Sequence, residues 1–214
     1  MDCNCPADTA LTTIPSQDCE VNMNQIQRLA FRRRGNVFGA NAVDGAGAAA
    51  ANDPLILADW QSLIAAADST KVVVTPLLAS NPVITPGDAI TNGGGDNTTL
   101  NGVEEVEGVN PAVFTAEFKG LAPDIEKALK KLMCEKNLEV FFLLEGGKIA
   151  AKADNSVDPV VDWSGFGAQS LFISDRGNAG FATRDIVNIS FNMPNGYSED
   201  LAILDPAFNP LFDI

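Results

Sequence analysis

The chain contains no histidine. The side chain that most often serves as general base near neutral pH, and most often ligates transition metals, is therefore missing. Histidine-dependent triads and histidine-containing zinc centres are excluded. Basic residues are also scarce: 14 lysines and arginines face 28 aspartates and glutamates, a net charge of −14. Such a body repels phosphate, which argues against a protein that holds nucleic acid through its backbone. It leaves room for a surface past which nucleic acid slides without sticking. No apolar run approaches the roughly 18 residues that a membrane span needs, so no membrane partner is expected. Two tryptophans and one tyrosine are few for a module that stacks sugars or bases.

Cysteine is limited to Cys3, Cys5, Cys19 and Cys134. The opening Met-Asp-Cys-Asn-Cys-Pro has neither the basic start nor the apolar centre of a secretory leader, so the expected setting is a reducing cytoplasm with free thiols. Cys3, Cys5 and Cys19 would need Cys134 as a fourth zinc ligand, and their spacing matches no usual pair of knuckles. No metal or other cofactor is expected.

What is plentiful points to strands. Hydrophobic residues make up 46% of the chain, enough for a core, while 18 glycines and 12 prolines imply many turns between short elements. A mainly β (α+β) fold is the expectation. Residues 1–34 read as an extended N-terminal arm whose four acidic and four basic residues cancel, so the remainder carries the whole excess of negative charge. Within it, "QIQRLAFRRRG" at 25–35 suits a short strand or a turn of helix. The small residues of "GANAVDGAGAAAANDP" at 39–54 suit a long loop. Asp53-Pro54 offers an N-cap and a first-turn proline for a helix that would bury Leu57, Trp60, Ile64 and Ala67.

"STKVVVTPLL" reads as a strand. Residues 81–111, with Gly93-Gly94-Gly95 and Asn101-Gly102, read as a long loop or β-excursion from the body. "AVFTAEF" alternates as a strand. "APDIEKALKKLMCEKN" at 122–137 is the clearest helix, with Pro123 opening it, acidic residues early and lysines late. "LEVFFLLEGGKIAAK" forms a hairpin around Gly146-Gly147, and two more strands follow in 167–196. The body spans 35–192, and 193–214 forms a C-terminal arm.

Few residues suggest chemistry. "GGGDNTTLNG" lacks the Gly-Lys-Ser/Thr ending of a phosphate loop and reads as a turn. Glu104, Glu105 and Glu107, like Asp154 and Asp158, lie among glycines and polar residues rather than apolar walls that would raise a carboxylate pKa. Solvated carboxylates are the expectation, and no catalytic residue is assigned. Arg32, Arg33 and Arg34 form a basic run in an acidic chain, and its expected partner is the acidic surface of a second copy. Leu204, Phe208, Leu211 and Phe212 suit a tail laid over a neighbouring subunit or back across its own sheet.

Three stretches carry a resemblance: "CNCPADTALTTIPSQDCEVNMNQIQRLAFRRRG", "TKVVVTPLLASNPVITPGDAITNGGGDNTTLNG" with the following strand and "IEKALKKL", and "RDIVNISFNMPNGYSEDLAILDPAFNP". Together they cover most of the chain, which resembles a tail tube protein of a tailed bacteriophage, of the type infecting Bacteroidota. The resemblance implies a tail-tube-like β-sandwich or curled sheet with one or two flanking helices, and typically hexameric rings. It implies that each subunit gives strands to a closed inner barrel and that rings stack through loops and arms. It further implies that double-stranded DNA passes through the lumen without specific binding.

On that reading the chain is a structural, non-enzymatic virion protein made in the host cytoplasm, with itself and sheath or other tail proteins as partners. Glu104, Glu105 and Glu107 are then lumen or ring-contact residues. Arg32, Arg33, Arg34, Leu204, Phe208, Leu211 and Phe212 become inter-subunit contacts. A capsid decoration or head–tail connector protein is the structural alternative. A surface glycan-binding β-module, stacking sugars on Trp60, Trp163 and Tyr197, is the alternative of another class.

Overall fold

The computed structural model describes residues 25–35, 38–39, 53–95, 98–157, 160–178, 180–181 and 183–214, together with Ile14, Asn22 and Met23. It is mainly β, with two α-helices among the described residues. In chain order the elements are β1 (Ile26–Arg33), β2 (Phe38–Gly39), α1 (Leu57–Ala65), β3 (Val73–Val74), β4 (Ala79–Thr85), β5 (Ala89–Asn92), β6 (Glu105–Val109) and β7 (Ala112–Lys119). Then come α2 (Pro123–Leu132), β8 (Leu138–Leu144), β9 (Ile149–Val157), β10 (Val160–Ser164), β11 (Phe166–Ile173), β12 (Ile186–Met193) and β13 (Leu201–Leu204).

Eleven of these strands share one antiparallel hydrogen-bonded sheet, and β8 is where it branches. One edge of β8 pairs with β1 from end to end. Its other edge is divided, with Phe142 and Leu143 pairing with β9 and Leu138–Val140 pairing with β11. The sheet thereby folds into two layers. One holds β3, β1, β8, β9 and β13; the other holds β11, β12, β7 and β4.

The core between the layers is phenylalanine-rich because alternate residues of strands in both layers point into it. Phe114 stacks on Phe191 with ring centroids 4.7 Å apart, Phe142 stacks on Phe166 at 5.2 Å, and Phe31 meets Phe191 edge-on at 5.9 Å. The opposite face of the β1–β8–β9 layer forms a second core with α1 and the C-terminal segment, where Trp60, Phe141, Leu143, Leu204 and Leu211 pack. Every residue of β8 is consequently buried, which is why "LEVFFLL" shows no polar alternation.

Gly165 sits at the corner where the chain leaves β10 for β11. A Cβ there would lie 2.9 Å from the Val140 nitrogen and 3.0 Å from the Glu139 Cβ, so the backbones approach too closely for a side chain. Arg32 and Glu139 face each other across the β1–β8 pair at this corner and form an ion pair, both buried. The Gly165 N–H donates to the same carboxylate. The Arg32 guanidinium also lies over the Phe141 ring, 5.2 Å from its centroid.

Several sequence boundaries shift. Residues 26–33, read as the end of an arm, form a strand inside the two-layer body because Leu29 and Phe31 face one core and Ala30 the other. Helix α1 starts at Leu57 rather than Pro54. The Asp53 Oδ1 instead accepts the Leu55 N–H at 2.8 Å in a local turn, and the Pro54 carbonyl accepts the Trp60 indole N–H at 2.9 Å. The expected strand at 69–78 shrinks to Val73–Val74, the excursion begins only after β4, and β10 is a strand the sequence reading lacks. The loop expected at 39–54 and most of the expected arm, with Cys3, Cys5 and Cys19, lie outside the described residues.

Candidate functional site

The layer β11–β12–β7–β4 has one face in the core and one open. Strand β7 shows the alternation plainly, with Ala112, Phe114, Ala116 and Phe118 buried and Val113, Thr115, Glu117 and Lys119 turned out. The register aligns the outward residues in rows. Gln169, Asn192, Val113 and Thr85 form one row, and Phe172, Ser190, Thr115 and Val83 the next. A third row pairs Asn188 with Glu117, whose carboxylate accepts the Ser80 hydroxyl at 2.6 Å. Among the described residues nothing packs over this face.

Its chemistry is unusual for a solvent-facing sheet in so acidic a chain. Short hydroxyl and amide side chains dominate, and Glu117 and Lys119 are the only charged side chains that β7 turns outward. A shallow depression of about 350 Å³ lies in it, lined by Ser80, Thr115, Glu117, Phe172, Asn188 and Ser190. Among the described residues no group of histidine, cysteine, aspartate or glutamate side chains is placed to hold a metal.

Both sides of the layer end in strand edges. Among the described residues β4 pairs with β7 alone, and β11 has no strand on its outer edge beyond Ala168, where its pairing with β8 stops; there the Met133 Sδ, just after α2, accepts the Ile173 N–H at 3.1 Å. Pro82 lies within β4, as an edge strand permits, and the irregularity between Ala79 and Val83 includes Ser80 at φ 60°. The pairable stretch of that edge is thus Val83–Thr85.

Strands β5 and β6 form a separate two-stranded sheet that leaves the body between β4 and β7. Glu105 and Glu107 lie in β6 and Glu104 just before it, all exposed; Glu107 accepts the Asn92 amide N–H at 2.8 Å. The hairpin also exposes Ile90, Leu100, Val103 and Val106. The three glutamates are therefore on the hairpin and away from the open sheet face.

The arginine run divides. Arg32 points inward to Glu139 and is 2% exposed, so it is a bond within one subunit and not the inter-subunit contact that the sequence suggested. Arg33 is exposed and donates to Glu135 at 2.6 and 3.0 Å; Arg34 is exposed beside Gly167. The C-terminal segment folds back across its own layer. Leu204 pairs in β13 with Ile149 and is buried, Leu211 is buried, and Phe208 packs beside them, which leaves Phe212 exposed. The Arg28 Nη1 holds the segment by donating to the carbonyl oxygens of Leu211 and Ile214, both at 3.0 Å.

Trp60 is fully buried and forms part of the second core, so it cannot serve as a sugar-stacking platform. Tyr197 is half-buried edge-on to Phe166, and Trp163 is half-buried against the second core. Side chains of Asp154 and Asp158 lie outside the described residues. No described helix is long and apolar enough to cross a membrane. No protein-family model matches the chain, and no curated protein matches it.

Proposed function

We propose that the chain is a structural subunit that joins copies of itself edge to edge into rings and a tail tube, the conduit through which a tailed bacteriophage delivers its genome. The observation that carries this reading is the open layer β11–β12–β7–β4, with its uncovered face, the edge of β4 left unpaired among the described residues, and an edge of β11 held beyond Ala168 by the Met133 side chain rather than by a strand. The four strands alternate in direction, so β4 of one copy meeting β11 of the next continues the antiparallel order. Closure into a ring would remove every exposed edge of the layer.

The uncovered face suits a bore. Short, mostly uncharged polar groups offer no row of lysines or arginines to phosphate, and the net charge of −14 supplies a general repulsion. The buried second layer, with α1 and the C-terminal segment outside it, gives the subunit a stiff back. A hexameric ring, a place in the virion tail and contacts with sheath or other tail proteins belong to the same proposal.

Negative-stain electron microscopy of the purified protein, dilute and concentrated, tests it. Annular particles or hollow filaments are expected. Compact monomers at every concentration would refute the tube and favour a decoration or connector protein.

A further inference from the structure

The two ends of β7 carry opposite chemistry. Its N-terminal end joins the β5–β6 hairpin, and its C-terminal end leads into α2, roughly 24 Å away at the usual strand rise. Residues 88–109 of the hairpin hold Asp88, Asp96, Glu104, Glu105 and Glu107 and no basic residue, a charge of −5. At the other end, residues 119–131 and 174–186 hold six basic residues against four acidic ones, a charge of +2 in a chain whose total is −14.

Internal pairing sharpens this polarity. Lys130 bonds Glu126 and Asp175 at 2.8 and 2.5 Å, and Arg176 reaches Glu126 and Asp185 at 3.1 and 3.6 Å. The acidic groups at this end are largely consumed by those two cations. Lys119, Lys127 and Arg184 are exposed and make no ion pair among the described residues.

Shape agrees with charge. Between Lys119 and Arg184 lies a largely apolar recess of about 370 Å³, lined by these two with Thr183, Ile186 and Glu117, whose carboxylate already accepts the Ser80 hydroxyl, and Phe181 stands fully exposed nearby in the chain. The hairpin presents Leu100, Val103 and Val106 at 81, 58 and 54% exposure, beside its three glutamates. One end thus offers aliphatic side chains flanked by carboxylates, and the other an apolar recess whose two cations unpaired among the described residues, Lys119 and Arg184, outnumber its one hydrogen-bonded carboxylate, Glu117.

We infer that the hairpin of one copy seats in the Lys119–Arg184 recess of another copy, so that copies of this chain associate head to tail. Such a contact joins two different surfaces, so it propagates rather than closing as a symmetric dimer. It extends the tube reading, on which its role as the contact between successive rings rests, by naming the surface that receives the hairpin.

The test is a charge swap between the two surfaces. One variant carries E104K, E105K and E107K; the other carries K119E, K127E and R184E. All six residues are exposed, so circular dichroism and melting temperature should match the unmodified chain. Each variant alone should lose head-to-tail association by about 100-fold, since three attractive pairs become repulsive. An equal mixture should regain it, because the basic hairpin of one then meets the acidic recess of the other.

Light scattering and electron microscopy read both stages. Rings that persist in each variant while stacking fails alone and returns in the mixture support the inference. Rings whose stacking is indifferent to the substitutions, or a mixture that stays unstacked, overturn it and leave the tube reading standing. An unmodified chain that stays monomeric overturns both.

Discussion

Replacing Arg32 by methionine should destabilise the subunit in a pH-dependent manner, and the dependence is the informative part. The Arg32–Glu139 pair is buried where β8 meets β1 and β11. Removing the guanidinium leaves Glu139 in the same place with the Gly165 N–H as a remaining donor. Breaking one side of a buried pair costs about 3–5 kcal/mol. Unfolding entropy of about 2.1 cal/mol/K per residue gives roughly 0.45 kcal/mol/K for a chain of this length, so the melting temperature at neutral pH should fall by about 7–11 °C.

Burial already pushes the Glu139 carboxyl above its ordinary value of 4.5, against the opposing charge and hydrogen bond of Arg32. Without Arg32 it rises further. A carboxyl whose folded pKa lies above its unfolded one binds more protons when folded. Stability is therefore fully present below about 4.5 and is lost as pH rises through the folded pKa. R32M should approach the unmodified protein near pH 4.5 and diverge from it toward pH 8. The double variant R32M/E139L, with both charges gone, should be close to the unmodified protein in stability and flat across the same window. Urea unfolding at several pH values measures all three; an R32M variant as stable as the unmodified protein at every pH would show that the corner is open to water, contrary to the packing described.

Two further perturbations address the same body. Gly165→Ala places a methyl group against the Val140 backbone and should cost about 1–3 kcal/mol, read as a lower urea midpoint with an unchanged slope; an unaffected midpoint would mean that the corner relaxes freely. Arg28→Met removes the donor to Leu211 and Ile214, so limited proteolysis should cleave within 205–214 sooner than in the unmodified protein, while equal rates would show that Leu204 and Leu211 hold the segment by packing alone.

Much of the fold is legible in the sequence because one face of most elements is wet. In "AVFTAEF" the alternation is complete, and the structure has β7 there with four residues buried and the others turned out. Helix α2 likewise shows its proline start and charge order, although only Leu129 is fully buried on it. Legibility fails where both faces are covered or where pairing is non-local. "QIQRLAFRRRG" has no clear period because β1 lies between two cores, and its last arginines look like a surface cluster until Glu139, more than one hundred positions away, is brought opposite Arg32.

The candidate surface divides in the same way. The hairpin is local, and its Gly-Gly-Gly and Asn-Gly turns announce it. The open layer is assembled from β4, β7, β11 and β12, whose outward residues are separated in sequence by α2 and the β8–β9 hairpin. No linear pattern marks Thr85, Val113, Asn192 and Gln169 as one row.

The position of the negative charge is what links the two surfaces. Had the acidic residues been spread over the open layer, repulsion between facing copies would oppose closure of a ring. In the structure Glu104, Glu105 and Glu107 stand on the hairpin instead, while the strands at the two sides of the layer carry Thr85, Val83, Gln169 and Phe172 outward. In the proposed ring, lateral joining relies on backbone hydrogen bonds between edges poor in charge. The proposed axial contact relies on charge and aliphatic packing at the ends of β7. The two proposed contacts use different physics, so ionic strength should separate them: raising salt should weaken the axial contact between exposed charges and leave the lateral one, which contains few, nearly unchanged.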